Sequence, residues 1–361
     1  TPGQAQLTLS LYMIGFAAGQ LVLGPASDRF GRRPVMLAGL LVYSIAGAAC
    51  AASVSIEQLI AFRFLQGTGA SIGAVIVRAI IRDYYGRRAG TSALAGVLTV
   101  QATAPLVAPV IGSFLVVTAG WHSIFVTLAL TGVAMWIAAY IAIPESLANP
   151  DERAMVPRRF LANAGRFYAN RTCLGYSLIA AASSGVLFSY LAGSPFVLTQ
   201  VFGVPTQIYG FLLAGNAIVV MIANQANIAA LRRVQPEPLL RFGLILAAGA
   251  VIALAFVTHG RGLVLGAFLA CTYTYFFAHT FIFPNAIAAA LDPVPEIAGV
   301  GSSLLGTGQM IAASIAAYFV GRLYDHTPSS LVLCMGLAVL CMLLAYGSVL
   351  LTTRKAAHDR H

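Results

Sequence analysis

The sequence predicts an all-α membrane protein, and three observations carry that prediction. Of its 361 residues, 59% are hydrophobic and only 9% are charged, against about 25% charged residues in ordinary soluble domains. Two stretches, 89–144 and 172–231, contain no Asp, Glu, Lys or Arg at all. A span needs about 20 apolar residues, so each stretch holds two helices and a short turn. A soluble fold is therefore excluded, as is a transmembrane β-barrel, whose strands alternate polar and apolar residues over about 10 positions.

Eleven candidate spans lie between the charged segments. Their predicted limits are 7–26, 35–55, 57–81, 90–118, 122–143, 173–194, 207–230, 241–258, 262–289, 297–321 and 329–352. The third span is the least apolar, because it contains Arg63 and Arg78. The five cysteines lie in or at the ends of apolar segments and show no metal-type spacing, so we interpret them as small buried hydrophobic residues.

We attribute the net charge of +10 to basic loops that orient the chain in the membrane, rather than to a surface that binds nucleic acid. Alternate connections hold 17 of the 21 basic residues, and the opposite connections hold only Arg261 and Arg322. The 17 are Arg29, Arg32, Arg33, Arg82, Arg87, Arg88, Arg153, Arg158, Arg159, Arg166, Arg171, Arg232, Arg233, Arg241, Arg354, Lys355 and Arg360. Because basic loops stay on the cytoplasmic side, the C-terminus is predicted to be cytoplasmic.

The longest polar connection divides the chain into three predicted parts. These are an N-terminal bundle of five spans (1–143), a cytoplasmic central loop (144–172) and a C-terminal bundle of six spans (173–361). Transporters built from repeats have equal halves. Weak repetition supports such a design, since Arg32-Arg33 resembles Arg232-Arg233 and the run 92–96 resembles 302–306. The pattern is completed by one further helix before Thr1, which gives an expected twelve spans.

The most specific motif is the segment Gly24–Pro34, which reads GPASDRFGRRP. Gly24 suits a close helix contact and Gly31 a tight reversal of the chain. Pro34 suits the first turn of the next helix, and Asp28 can interact with a helix N-terminus or with nearby arginines. The alternative is a solvated loop that only fixes topology.

A second motif lies in the third span, where Arg63 begins the run RFLQGTGA. An arginine about six residues into a span costs a few kcal/mol, so Arg63 is expected to face a polar cavity and find acceptors. The alternative is that its side chain extends to the outer interface. Gly67, Gly69 and Gly73 are predicted to form a small-residue face for close packing.

A third motif is the run 105–113, which reads PLVAPVIGS. Its two prolines, Pro105 and Pro109, remove two backbone donors and should bend the helix.

The three motifs and their order resemble the major facilitator superfamily. Segment 24–34 is similar to its GxLaDrxGrk signature, Arg63–Ala70 to its RxxQGxgaa motif, and 105–113 to the GPxxGG motif of its drug:proton antiporters, with Ala108 and Ser113 in place of two glycines. The whole pattern looks like the bicyclomycin-resistance (Bcr/CflA) branch. The resemblance implies a major facilitator fold of two pseudo-symmetric bundles, with the family's first helix absent from this sequence.

The resemblance also implies roles for three groups of residues. The predicted cytoplasmic-loop latch consists of Gly24, Asp28, Arg29, Gly31, Arg32 and Arg33. The predicted proton-coupling helix contributes Arg63, Gln66 and Gly67. The predicted antiporter-type helix contributes Pro105, Pro109 and Gly112.

Proton coupling needs a titratable group in the membrane, yet none of the 11 acids lies deep in a predicted span. Either no buried carboxylate carries protons, or it lies in the absent first helix, where members of the resembled family have an acid. His279 is the one histidine well inside a span. Its ordinary pKa of about 6.5 suits proton exchange, and the alternative is a packed or hydrogen-bonded neutral histidine.

Substrate is expected to bind near mid-membrane, where aromatic faces attract drug-like molecules. Ordinary packing is the alternative for each of these aromatic residues. Without a deep acid, neutral or weakly charged substrates should be handled better than a permanent dication. The predicted cavity residues are Tyr12, Phe16, Gln101, Asn216, Tyr273, Tyr275 and His279.

The resulting hypothesis is a monomeric, proton-coupled multidrug exporter of the bacterial inner membrane that works by alternating access. The alternative is a carrier for a single small metabolite. The sequence has no Walker-type GxxxxGK[ST] run, zinc cluster or catalytic triad spacing, so ATP-driven transport, a bound metal or cofactor, and an enzymatic activity are not expected. A sensor or scaffold would need an added soluble domain.

Overall fold

The structure is a computed structural model, and it describes residues 2–77, 79–81, 83–84, 108, 110–147, 150–152, 154–259, 264–294 and 297–358. Twelve helices can be numbered in chain order within these ranges. They are α1 (Pro2–Phe30), α2 (Arg32–Ala51), α3 (Ile56–Ala70), α4 (Val110–Ala119), α5 (His122–Ala142), α6 (Pro157–Ala169), α7 (Arg171–Phe196), α8 (Thr206–Leu231), α9 (Pro236–His259), α10 (Leu265–Leu291), α11 (Ala298–Arg322) and α12 (Ser329–His358). The described ranges contain no β-strand, which confirms the all-α prediction.

Ten of these helices are long and apolar enough to cross a membrane, among them α3 extended to Ile56–Ile81. Each coincides with a predicted span, and α4 coincides with the end of the predicted span 90–118. Side-chain caps fix two of the helix starts. Ser55 accepts a hydrogen bond from the Gln58 amide, and Asn170 accepts bonds from the first amides of α7, which satisfies donors that a helix start leaves unpaired.

The chain divides into two compact units, Leu7–Phe160 and Thr1–Gln6 with Leu161–His361. We call them the N-terminal unit and the C-terminal unit. The boundaries expected from the sequence, 143/144 and 172/173, fall on either side of the observed division and stay a prediction.

Close helix packing in the N-terminal unit depends on glycine. A Cβ on Gly67 of α3 would overlap the carbonyl oxygen of Tyr12 on α1, and a Cβ on Gly69 would lie 2.6 Å from the Tyr43 amide nitrogen on α2. Backbone therefore meets backbone at both contacts, as in small-residue packing of membrane helices. Gly73, predicted to share this face, has no heavy atom of the described residues within 4 Å of its hypothetical Cβ, so it makes no such close contact with them.

The C-terminal unit is built around α7. Two thirds of its most apolar window is buried (67%), the highest share of any candidate span among the described residues. Its buried face includes small polar residues, with Ser183 and Ser189 both fully inaccessible. Small side chains allow neighbouring helices to approach closely. Beyond Phe196 the helix continues as one π-type turn, Val197–Val201.

The predicted central loop contains a helix that the sequence reading did not anticipate. This helix, α6, is amphipathic: Phe167 is fully buried and its Cε2 would lie 3.0 Å from a Cβ on Gly301, whereas Arg158, Arg159 and Arg166 are exposed. Its apolar periodicity was hidden by the arginines that made the segment look like a solvated connection.

Candidate functional site

Arg32 is the centre of an ionic cluster in the N-terminal unit. Its guanidinium contacts Asp28 at 2.6 Å and Asp83 at 3.1 Å, and it donates a 2.7 Å hydrogen bond to the Ser27 hydroxyl. The Arg32 side chain is 5% exposed, against 17% for Asp83 and 46% for Asp28. A planar, multi-donor cation suits this arrangement, because it can satisfy acceptors on several sides at once. The cluster ties the C-terminal end of α1 to the start of α2 and to Asp83.

A second contact at the same place is the Glu145 carboxylate, which caps the start of α2. It accepts hydrogen bonds from the amides of Arg32 (3.0 Å) and Arg33 (3.1 Å), and from those of Ser146 and Leu147 (both 2.9 Å). Partial burial raises the pKa of Glu145, but the four amide donors lower it by more, so the pKa lies below its ordinary value. The helix dipole of α2 favours an anion at this point.

Gly31 makes this capping geometry possible. Its φ of +103° lies in a region that residues with a side chain rarely adopt, and a Cβ there would lie 2.5 Å from Oε2 of Glu145. The neighbouring Arg33 donates a 2.8 Å hydrogen bond to the Tyr140 carbonyl and places its guanidinium 5.1 Å from the Tyr140 ring centroid. The turn therefore brings the first residues of α2 against the end of α5.

We predict that Glu145→Gln destabilises the chain by about 1 kcal/mol at neutral pH, because the neutral amide keeps one acceptor oxygen but loses the second acceptor and the negative charge at the helix start. Because the folded state holds the carboxyl ionised, its contribution is complete above the unfolded pKa of about 4.3 and is lost as the pH falls through the lower folded value. Thermal unfolding in detergent from pH 7 to pH 3 checks this. A gap between wild type and variant that widens towards acid would contradict the assignment.

Arg63 on α3 lies among aromatic rings. Its Nη1 donates a 2.7 Å hydrogen bond to Oε1 of Gln66, and its guanidinium lies 4.1 Å from the Tyr12 ring centroid and 5.7 Å from that of Phe125. Both distances are within cation–π range. Gln66 is fully buried and its Nε2 has no hydrogen-bond partner among the described residues. Arg63 is therefore held inside the unit rather than extended away from it.

Within the described ranges no carboxylate forms an ion pair with Arg63, and no group of three metal-ligating side chains occurs. The nearest groups to the guanidinium are thus neutral. A cation in this setting is stabilised by ring faces and one amide oxygen, and it remains available to an anionic or strongly accepting partner.

The predicted cavity residues of the C-terminal unit take part in a polar network between helices. Asn216 on α8 donates a 2.9 Å hydrogen bond to the hydroxyl of Tyr190 on α7, and its Oδ1 is buried without a partner among the described residues. Tyr273 on α10 donates to the carbonyl of Leu212 at 3.0 Å. These bonds link α7, α8 and α10, and they leave one buried acceptor, Asn216 Oδ1, unsatisfied.

Other predicted site residues are placed as follows. Tyr12 and Phe16 are half-buried with ring centroids 6.4 Å apart, whereas Tyr275 is fully buried.

The remaining residues belong to the predicted loop and to the antiporter-type helix. A Cβ on Gly24 would lie 3.3 Å from Cγ1 of Val75. The Arg29 guanidinium lies 5.2 Å from the Phe30 ring centroid, and Arg29 is otherwise exposed. Gly112 has no atom of any described residue within 4 Å of its hypothetical Cβ. Pro105, Pro109 and Gln101 lie outside the described residues.

Sequence reasoning missed the partners that complete these clusters. The sequence analysis does not single out Asp83 or Glu145, yet they contact Arg32 from 51 and 113 residues away. Ser183 was not singled out at all, although its hydroxyl lies 2.7 Å from His279 Nδ1. A chemical argument could have pointed to the partners of Arg32, because a cation that is buried needs acceptors close by.

The ten described helices that are long and apolar enough to cross a membrane define a multi-pass membrane protein. Residues 1–317 match the family model described as Major Facilitator Superfamily. The chain belongs to this superfamily, which confirms the resemblance and the fold expected from the motifs.

Relatives with descriptive names cover almost the whole chain. A bicyclomycin resistance protein homolog of Haemophilus influenzae is 29% identical over 96% of this chain and 87% of its own length. The multidrug resistance protein MdtL of Citrobacter koseri is 28% identical over 98% of this chain and 88% of its own. Among solved structures, a D-xylose-proton symporter superposes with a TM-score of 0.74 at 14% identity, covering 94% of this chain and 87% of that chain. The last likeness concerns the fold alone.

Proposed function

We propose that the chain is a proton-coupled multidrug exporter of the bacterial inner membrane that works as a monomer by alternating access. The observation that carries the proposal is the pair of relatives named for bicyclomycin and multidrug resistance, each aligned over nearly the whole chain. The basic bias of alternate connections supports a cytoplasmic C-terminus.

A fluorescent protein fused to the C-terminus should therefore fluoresce. A fusion that is inserted into the membrane but does not fluoresce would contradict this orientation.

Arg63 supports the coupling part of the proposal. Its guanidinium is held over the Tyr12 ring and against Gln66, with no paired carboxylate in the described part of the chain. A cation placed in this way shifts the proton affinity of any acid that approaches it. Its charge therefore couples the binding of an anionic or accepting group to the protonation of that group.

The decisive test is efflux from inverted vesicles that contain the full-length gene product. We expect addition of structurally unrelated neutral drugs to dissipate an imposed proton gradient, whereas paraquat, a permanent dication, has little effect. We also expect Arg63→Gln to reduce drug-dependent proton flux by about tenfold or more, which corresponds to a loss of about 1.4 kcal/mol of charge-dependent stabilisation.

The matched control is Arg322→Gln, which removes an exposed arginine with no described contact. It should leave the flux unchanged. Flux with one metabolite only would favour the single-substrate carrier. Drug transport that persists without a proton gradient would refute proton coupling.

A further inference from the structure

Ser183 and His279 form a polar pair between α7 and α10. Ser183 Oγ lies 2.7 Å from Nδ1 of His279, near the middle of both helices. Ser183 is fully buried, whereas the histidine is half-buried. The pair lies wholly within the C-terminal unit.

The position of the hydroxyl hydrogen follows from the surroundings of Ser183. Two other buried serines of α7 donate to the carbonyl one turn back, Ser177 to Cys173 and Ser184 to Ala180, whereas the Ser189 hydroxyl has no partner among the described residues. Ser183 makes no such bond, and His279 Nδ1 is the one described partner of its hydroxyl. A buried hydroxyl that donated to nothing would cost free energy. The hydroxyl therefore donates to Nδ1.

This assignment fixes the tautomer of His279. A neutral imidazole carries one hydrogen, and a ring nitrogen that accepts a hydrogen bond does not carry it. The hydrogen then lies on Nε2, at the opposite edge of the ring. Phe283 stacks on the ring at 5.2 Å with an interplanar angle of 24°, so both the edge and the face of the imidazole are held.

The described residues show a hydrogen bond to Nδ1 of this half-buried imidazole and none to Nε2. The imidazole lies in the middle of a helix long and apolar enough to span the membrane, where an unpaired donor that faced lipid would be costly. A polar side chain at this depth faces an aqueous cavity or a ligand. The partner that Nε2–H requires is a hydrogen-bond acceptor.

We propose that His279 is a fixed hydrogen-bond donor to the transported molecule, with Ser183 as the residue that positions its Nε2–H. The carrier therefore selects molecules that present a carbonyl, hydroxyl or similar acceptor over cations that have none. This inference rests on the proposed export of small molecules, and it adds the chemical class of the substrate.

The tautomer is tested directly by 15N NMR of the protein in nanodiscs with 15N-labelled histidine. The His279 signals are identified as those missing from His279→Gln. We expect Nδ1 to be unprotonated in the wild type, a mixture of tautomers in Ser183→Ala, and the wild-type pattern in Ser183→Thr, which keeps the hydroxyl. A protonated Nδ1 in the wild type would overturn the proposal.

Substrate selection is tested by binding to the purified protein with two probes. Chloramphenicol carries carbonyl and hydroxyl acceptors, whereas tetraphenylphosphonium carries none. We expect His279→Phe, which keeps the ring stack but has no N–H, to weaken chloramphenicol binding by about tenfold and to leave tetraphenylphosphonium binding unchanged. His279→Gln, whose amide N–H reaches a similar position, should recover most of the loss.

Ser184→Ala is the matched control for Ser183→Ala, since it removes a hydroxyl bonded only to its own helix. Equal losses for both probes, no loss in His279→Phe, or no chloramphenicol binding by the wild type would overturn the inference. Because binding needs no proton gradient, binding without efflux would refute the proposed function but not the role of His279 as a donor to the bound molecule.

Discussion

Gly67→Ala is expected to remove most of the correctly folded protein. The added Cβ would overlap the carbonyl oxygen of Tyr12, and it would lie 2.9 Å from that carbonyl carbon and 3.0 Å from the Phe16 amide nitrogen. These are backbone atoms, so no rotamer change relieves the clash and α1 must move away from α3. Overpacking of this kind costs about 3 kcal/mol. Fluorescence-detected size exclusion combined with a thermal ramp measures the loss.

Gly73→Ala is the control on the same helical segment, and its expected effect has the opposite sign. Within the described part of the chain no heavy atom lies within 4 Å of the new methyl group, and alanine is the better helix former by about 1 kcal/mol. Gly73→Ala should therefore be neutral or slightly stabilising. If the two variants unfold at the same temperature, the close approach of α1 and α3 is wrong.

Arg32→Gln is expected to give the second largest effect. The substitution leaves Asp28 and Asp83 without their shared cation and removes the donor to Ser27. Because the arginine is buried but the two carboxylates retain some exposure, the cost should be about 2 kcal/mol, between the values for exposed and buried pairs. Thermal unfolding of the purified variant checks the stability, and vesicle efflux checks whether transport falls with it.

One further substitution at Arg32 separates charge from geometry, and one at Arg29 serves as a control. Arg32→Lys keeps the charge but not the planar set of donors, so it should recover only part of the loss. Arg29→Gln removes an exposed arginine whose one described contact is the Phe30 ring, and it should unfold as the wild type does. Equal stability of Arg32→Gln and Arg29→Gln would mean that the ionic cluster does not hold these helix ends together.

The spans and the turn at Gly31 could be predicted because their signals are local. Long uncharged runs mark the helices, and the glycine of a tight reversal precedes Arg32 directly. The helix ends were less predictable, since helices continue into polar residues once backbone bonding is established. Helix α9, for example, begins at Pro236 rather than at 241.

The site could be predicted only in part, because its partners are distant in sequence. The motif around Arg32 is visible, but its two remote acceptors, Asp83 and Glu145, depend on how α2 is packed. His279 was a candidate from its depth alone. Its role as donor required the position of Ser183, which on sequence is one more small residue in an apolar helix.

The glycine contacts between α1 and α3 have a consequence for motion. Side chains that interdigitate can change rotamer and let two helices slide, whereas touching backbones have no such adjustable layer. At Gly15 and Gly67 each helix presses on the main chain of the other. We therefore expect α1 and α3 to move as one rigid body during any conformational change. Relative motion within the N-terminal unit should then occur at other helix contacts.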